Sequence, residues 1–324
     1  MQRSTFQVLE FSTFAHDPGF GVFLNGAGCD GDFTGHALVL DHPAGDHASA
    51  QLVSADGSVL AQGAFQALGY LELEDTVTQI RHWAIQISVD GVACGVITRH
   101  RPRADSMFKV RARDIWLTPP KTASRSGAWM GPGTIVMTQD GAMPVEWIEA
   151  GQQIATKDRG FQPVQHVLRS PLRPLNELNK WVALRGGSNA EAQEAALVVS
   201  PDTDVLAQSA QAELLFASHE VLLKAADSQH KSEPALEDGK DATALVMHNS
   251  ELIEANGIWI GTWCHHPVAM AQLSAVAKVQ IVHKLGVAHR YQTAARPCLS
   301  PIEAHLAGVR LPELAIRSEN LRCA

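Results

Sequence analysis

The stretch that most constrains the fold of this chain is WMGPGTIVMTQDGAMPVEWIEAGQQIATKD, residues 129–158. Gly131-Pro132-Gly133-Thr134 predicts an opening turn, Ile135 to Thr138 a strand, and Asp140-Gly141 the turn that reverses it. The segment Pro144 to Ile148 comes next, then a turn at Gly151 and a strand ending at Thr156. The residues ahead of this stretch read as a separate domain. Those after it read as completing one β-rich module.

The rest of that module continues the pattern. Phe161 to Leu168 predicts a strand, interrupted at Pro171 and Pro174, and Lys180 to Leu184 a further short one. Leu197 to Leu206 gives two apolar runs split by a Ser200-Pro201-Asp202 turn. Periodicity leaves Ala212 to Phe216 and Glu220 to Ala225 open between helix and strand. Ser228 to Asp241 is polar and charged, as an exposed loop would be. Thr243 to His248 predicts a buried strand, and Leu252 to Ala255, Asn256-Gly257 and Ile258 to Ile260 a hairpin. From Pro267 to Leu285 the pattern is helical. Ile302 to Leu306 predicts a last short helix, with Ser300 as its cap and Pro301 at its first position.

Residues 1–116 alternate short apolar runs with turn residues, which predicts a β-rich domain of sandwich or barrel-like type. Its clearest hairpin is Trp83 to Val89, Asp90-Gly91, then Val92 to Thr98; Val59 to Gln62 forms a plausible second one with Gln51 to Val53. Residues 117–128 have linker composition, with two prolines followed by small polar residues. The glycine-rich loop NGAGCDGDFTG holds Asn25, Asp30 and Asp32, oxygen ligands of the kind calcium takes. It lacks EF-hand spacing, and a solvated turn is the simpler reading. Arg99-His100-Arg101-Pro102-Arg103 suits phosphate in chemistry but reads more simply as an exposed strand end.

A chain of 324 residues exceeds the usual single domain. With 26 basic and 34 acidic residues its formal net charge is −8 and no basic patch is visible, which argues against a nucleic-acid partner. The amino terminus lacks the basic and apolar regions of a signal peptide, so the cytoplasm is the default location, with signal-independent export left open. No apolar run reaches the roughly 18 residues of a membrane span. Cys29, Cys94, Cys264, Cys298 and Cys323 contain no CxxC and are expected as free thiols. Cys264, His265, His266, His283, His289 and Cys298 are soft donors without zinc-finger spacing. No cofactor is expected.

The blocks at Pro132 to Thr134, Asp140 to Val164, Val198 to Leu206 and Leu252 to Ile260, with the tail Ala295 to Ala304, resemble the hedgehog/intein (Hint) modules in their bacterial version. The resemblance spans residues 127–308 and implies an all-β module over 129–264, followed by a partly helical extension over 265–324. In that family a Cys or Ser at the module's start attacks the preceding carbonyl, and a nearby His protonates the leaving amide nitrogen. Here the Cys position holds Trp129, the internal His position Thr203 and the later His position Ser250. An indole offers no nucleophile.

The resemblance therefore implies a Hint-like fold kept as a non-catalytic scaffold, with a protein partner and an interaction or assembly role. The alternative is self-cleavage in which Ser126, or Ser124, replaces the missing Cys and His248 or His219 assists. Read from the residues alone, Thr134, Ser200 and Thr203 serve as turn and strand-end residues, and His219 and His248 as hydrogen-bonded structural ones.

Overall fold

The computed structural model describes residues 2–10, 14–17, 21–24, 36–42, 49–54, 56–98, 108–115, 127–172, 181–185, 196–228, 231–232, 234, 239–265, 267–286 and 294–307. The chain is mainly β, with four α-helices among the described residues: α1 (Ala210–Phe216), α2 (Pro267–Ala271), α3 (Ala275–Leu285) and α4 (Pro301–Leu306). None of them is long and apolar enough to cross a membrane. Two compact units emerge, and both are discontinuous in sequence. The first joins Met1–Pro119 to Met270–Tyr291, the second Pro120–Ala269 to Gln292–Ala324.

The first unit holds β1 (Gln2–Glu10), β2 (Phe14–Asp17), β3 (Gly21–Leu24), β4 (His36–His42), β5 (Ser49–Val53), β6 (Val59–Asp75), β7 (Arg81–Val89), β8 (Val92–Thr98) and β9 (Phe108–Ile115). Antiparallel pairings run β1 to β4, β5, β6, β7, β8 and back to β1. Of the sandwich and the barrel, this closed circuit is the barrel, which leaves no free edge among its six strands. β9 pairs with the second half of β6, and β2 and β3 form a hairpin. At the β7–β8 turn Asp90 and Gly91 have φ of 53° and 79°. These are the positive angles that an Asp-Gly hairpin turn requires.

β6 is much longer than the Val59 to Gln62 run suggests. Its first half pairs with β5 and its second with β7. At Gly63, within the strand, an added Cβ would lie 2.8 Å from the Cβ of Asp90. Glu72 and Glu74 are buried and held by ion pairs, Glu72 with Arg81 at 3.0 Å and Glu74 with Arg81 and Arg111.

The second unit holds β10 (Ile135–Thr138), β11 (Gly141–Pro144), β12 (Gln153–Thr156), β13 (Gly160–Pro171), β14 (Val182–Leu184), β15 (Leu197–Val199), β16 (Asp204–Gln208), β17 (Glu220–Lys224), β18 (Lys231–Ser232), β19 (Asp241–Met247), β20 (Leu252–Ala255) and β21 (Ile258–Gly261). The larger sheet runs β17-β16-β21-β20-β10-β12-β13-β19, with β11 on β10; β15-β14-β18 form a smaller one. Val136, Ile148, Ile154, Val199, Val205, Leu245, Ile253 and Ile260 are among the residues of its apolar core. The open pattern at 212–225 resolves into α1, capped by Ser209, followed by β17. The expected exposed loop at 228–241 is overturned in part: Ser228 is buried as it closes a 3-10 turn onto Ala225, and β18 pairs with β14.

Beyond α3 the chain returns to this second unit. Leu222 of β17 donates its N–H to Pro297 at 2.8 Å and accepts that of Leu299 at 2.9 Å. Leu299, Ala304 and Ala307 enter the apolar core. Ser300 and Glu303 form a reciprocal capping box on α4, with Pro301 behind the cap.

Candidate functional site

The opening segment of the second unit is held from both sides as an inner strand. Met130 exchanges hydrogen bonds with Thr243, N to O at 2.8 Å and O to N at 2.9 Å. On the other side Gly131 N–H donates to Val198 at 2.7 Å, and Ser200 N–H donates to Trp129 O at 3.0 Å. An added Cβ at Gly131 would meet the Cβ of Val198 at 2.9 Å, so glycine lets the two backbones approach this closely.

Ser200, fully buried, organises the peptides around Trp129. Its hydroxyl donates to Gly127 O at 2.6 Å and accepts the Trp129 N–H at 3.1 Å. Thr203 Oγ1 lies 2.9 Å from the same oxygen. Since the single Ser200 proton goes to Gly127, the Thr203 hydroxyl is the donor in that contact. Ser200 thus uses its one donor and both acceptor positions. Thr203 is placed by its own N–H, which bonds Ser200 O at 3.0 Å and closes the turn.

Trp129, Thr203 and Ser250, the three expected departures from the Hint pattern, have distinct surroundings. Trp129 is buried, at 4% exposure. Thr203 is in contact with Ser200, one hydrogen bond from the Trp129 nitrogen. Ser250 is half-buried between β19 and β20 and precedes Glu251, which is buried and paired with Arg159. Ser124, Ser126, Asn25, Asp30 and Asp32 lie outside the described residues, as do Arg99 to Arg103.

The two candidate histidines stand away from this group. His219 is exposed, 3.6 Å from Glu213, and precedes the end of the β16–β17 hairpin opposite Thr203. Five strand positions at about 3.3 Å each separate that end from Thr203, roughly 16 Å. His248 is exposed and lies five positions beyond Thr243, the partner of Met130, a similar distance.

Two residues that sequence reasoning did not connect to the opening segment belong with it. Gly127, at φ 95°, lies so close to the Trp263 indole that an added Cβ would be 2.4 Å from the ring. Trp263 is completely buried, and His265, also buried, stacks edge-on against it with centroids 5.4 Å apart. Tryptophan in a Gly-Thr-Trp-Cys run carries no signal of what it will touch.

The neighbouring thiols are not activated. Burial pushes the Cys264 and Cys298 thiols up, and the Asp204 carboxylate adds to it. Burial also pulls the Lys224 ammonium down, but Asp204, 2.7 Å away, outweighs it and raises its pKa. Thiols of raised pKa are poor nucleophiles at neutral pH. Among the described residues no cluster of three or more His, Cys, Asp and Glu side chains suits a metal ion.

A mainly β module whose opening segment is bridged between β15 and β19 beside a Ser-Pro turn defines the class. Residues 130–266 match the family model of the Hint domain, so the chain carries a Hint domain over this segment. No curated protein and no solved structure matches the chain.

Proposed function

We propose that this Hint domain is a scaffold that no longer processes itself, kept for interaction or assembly with a protein partner. The observation that carries the reading is the hydrogen-bond polarity at Trp129. To break the bond before residue 129, a nucleophile must attack the Ala128 carbonyl and an acid must protonate the Trp129 nitrogen. That nitrogen instead donates its proton to the saturated Ser200 hydroxyl, and the side chain that completes the saturation is the alcohol of Thr203. Neither alcohol is an acid at neutral pH.

An exposed apolar row supports the interaction role. Ile135 and Met137 on β10 and Phe161 on β13 are exposed. Ala155, which pairs with Phe161, continues the row from Met137 between them. The purified chain is expected to keep its full 34.9 kDa mass through prolonged incubation with thiol or hydroxylamine, read by mass spectrometry. Fragments divided between residues 123 and 131 would overturn the reading in favour of self-cleavage. Ser126→Ala or Ser124→Ala would then abolish them.

A further inference from the structure

The barrel strands β6 and β7 are buried on both faces. Leu71, Leu73, Ala84 and Val96 cluster on one. On the opposite one, Tyr70, Ile85 and Ile97 form a cross-strand row with no exposed area, flanked by the buried Trp83. Because side chains alternate along a strand, the two faces need two separate covers.

The cover over the Trp83 face includes α3. This helix packs on β6 and buries Val276, Val279, Ile281, Val282 and Leu285. His283 meets the Trp83 ring edge-on at 5.9 Å. At Gly286, which ends the helix, an added Cβ would lie 3.7 Å from the same indole. Yet α3 is encoded after the Hint domain. The Hint core in turn takes Leu299, Ala304 and Ala307 from residues encoded after α3. Each unit is completed by a segment that lies beyond the other in sequence.

We propose that the Trp83 face of β6 and β7 is a docking surface whose occupant is the largely buried helix α3 of the same chain, and that it holds the amino-terminal part in place when the chain is cut ahead of the Hint domain. Release of the amino-terminal part is then not a consequence of cleavage. A cut chain stays a two-piece complex. This inference does not depend on the Hint domain being inactive, since it concerns what any cut near residue 125 would leave behind.

The test inserts a site-specific protease sequence between Lys121 and Thr122 of the full chain, with a tag on the amino-terminal side. After cutting, both pieces are expected to elute together at the size of the uncut chain and to be captured in equal amounts. Val279→Asp with Val282→Asp is expected to release the untagged piece. Separation of the unaltered pieces would overturn the proposal, and so would full retention in the double variant. Should the uncut double variant fail to stay soluble, Val279→Ala with Val282→Ala takes its place, and it must lower the urea concentration at which the pieces part. Should the inserted sequence resist the protease, co-expression of the two pieces makes the same break.

Discussion

Ser200 shows how a single hydroxyl sets the character of the site. It ties Gly127, Trp129 and Thr203 together, so its removal strands a part-buried carbonyl and a buried N–H at once. Ser200→Ala is expected to destabilise the Hint unit by about 2–3 kcal/mol, at the upper end of what an unsatisfied buried group costs. Urea denaturation followed by tryptophan fluorescence measures it, and a change within error would mean that Ser200 is not the organiser. Gly127→Ala probes the other side of the same segment. Its positive φ and the Trp263 ring both oppose a methyl, and a loss of more than about 2 kcal/mol is expected.

Chemistry can be tested at the same scale. Trp129→Cys returns a nucleophile, yet the N–H of the leaving nitrogen still ends on an alcohol, so that variant is expected to remain intact under thiol. Cleavage by the single substitution would show that the acid position was never limiting. That Trp129 and Thr203 stand at one site was legible in the sequence, because a Ser-Pro turn and a Pro-Gly-Thr opening fix their register. The packing of Gly127 on Trp263 was not, since those residues lie far apart in the chain and no periodicity relates them.

Elements reveal a different boundary between what sequence encodes openly and what it does not. The Asp90-Gly91 and Asn256-Gly257 hairpins and the Ser300-Pro301 helix start carry their geometry in local residue chemistry, and each forms where it was expected. β6 was hidden because its buried carboxylates become acceptable only through arginines on β7 and β9. The Arg296 clamp is a comparable long-range device. Arg296 pairs with Asp158 at 2.6 Å and Glu220 at 2.7 Å, which fastens residues 294–299 to the Hint unit.

The clamp has a pH signature. Hydrogen bonding from Arg296 holds the Asp158 carboxyl below the ordinary value of 3.8, against a smaller opposing effect of burial. Burial pushes the Glu220 carboxyl up, but Arg296 and Lys157 together outweigh it and the net shift is downward. Carboxylates with lowered folded pKa values contribute stability above their unfolded values and lose it as pH falls through the folded ones. Stability should therefore drop below pH about 4, and Arg296→Met should flatten that drop while costing about 1 kcal/mol per partly exposed pair or less at pH 7. An unchanged acid limb of the melting-temperature profile would remove the clamp from the account.

Lys278 on α3 has the opposite sign. Burial pushes its pKa down from 10.5 to about 8, so the folded chain binds fewer protons than the unfolded one between those values. Stability should rise as pH increases from about 8 to 10.5, and Lys278→Met should abolish the rise. A Lys278→Met profile parallel to that of the parent would refute it.

For the whole molecule, the decisive feature is the order in which the chain visits its two units. Local patterns place strands, turns and helices well, but they do not say that α3 belongs with the barrel and the segment after it with the Hint core. That assignment rests on which apolar face lacks a cover, a property of the assembled sheets. Ending the chain after Gly286 separates the two effects. It leaves α3 on the barrel and removes Arg296, Leu299, Ala304 and Ala307 from the Hint unit.

Losing the buried Leu299 alone is comparable to a core leucine truncation, so a cost of at least about 3 kcal/mol to the Hint unit is expected. β17, an end strand of its sheet, would also lose the backbone partners that Pro297 and Leu299 supply to Leu222. An uncovered edge strand invites pairing with a second copy. The truncated chain should therefore associate with rising concentration. Hydrogen exchange should show β16 and β17 losing protection while β6 and β7 keep theirs. Equal loss in both units would mean that they unfold as one body, and unchanged protection in β17 would mean that the returning segment is not part of the fold.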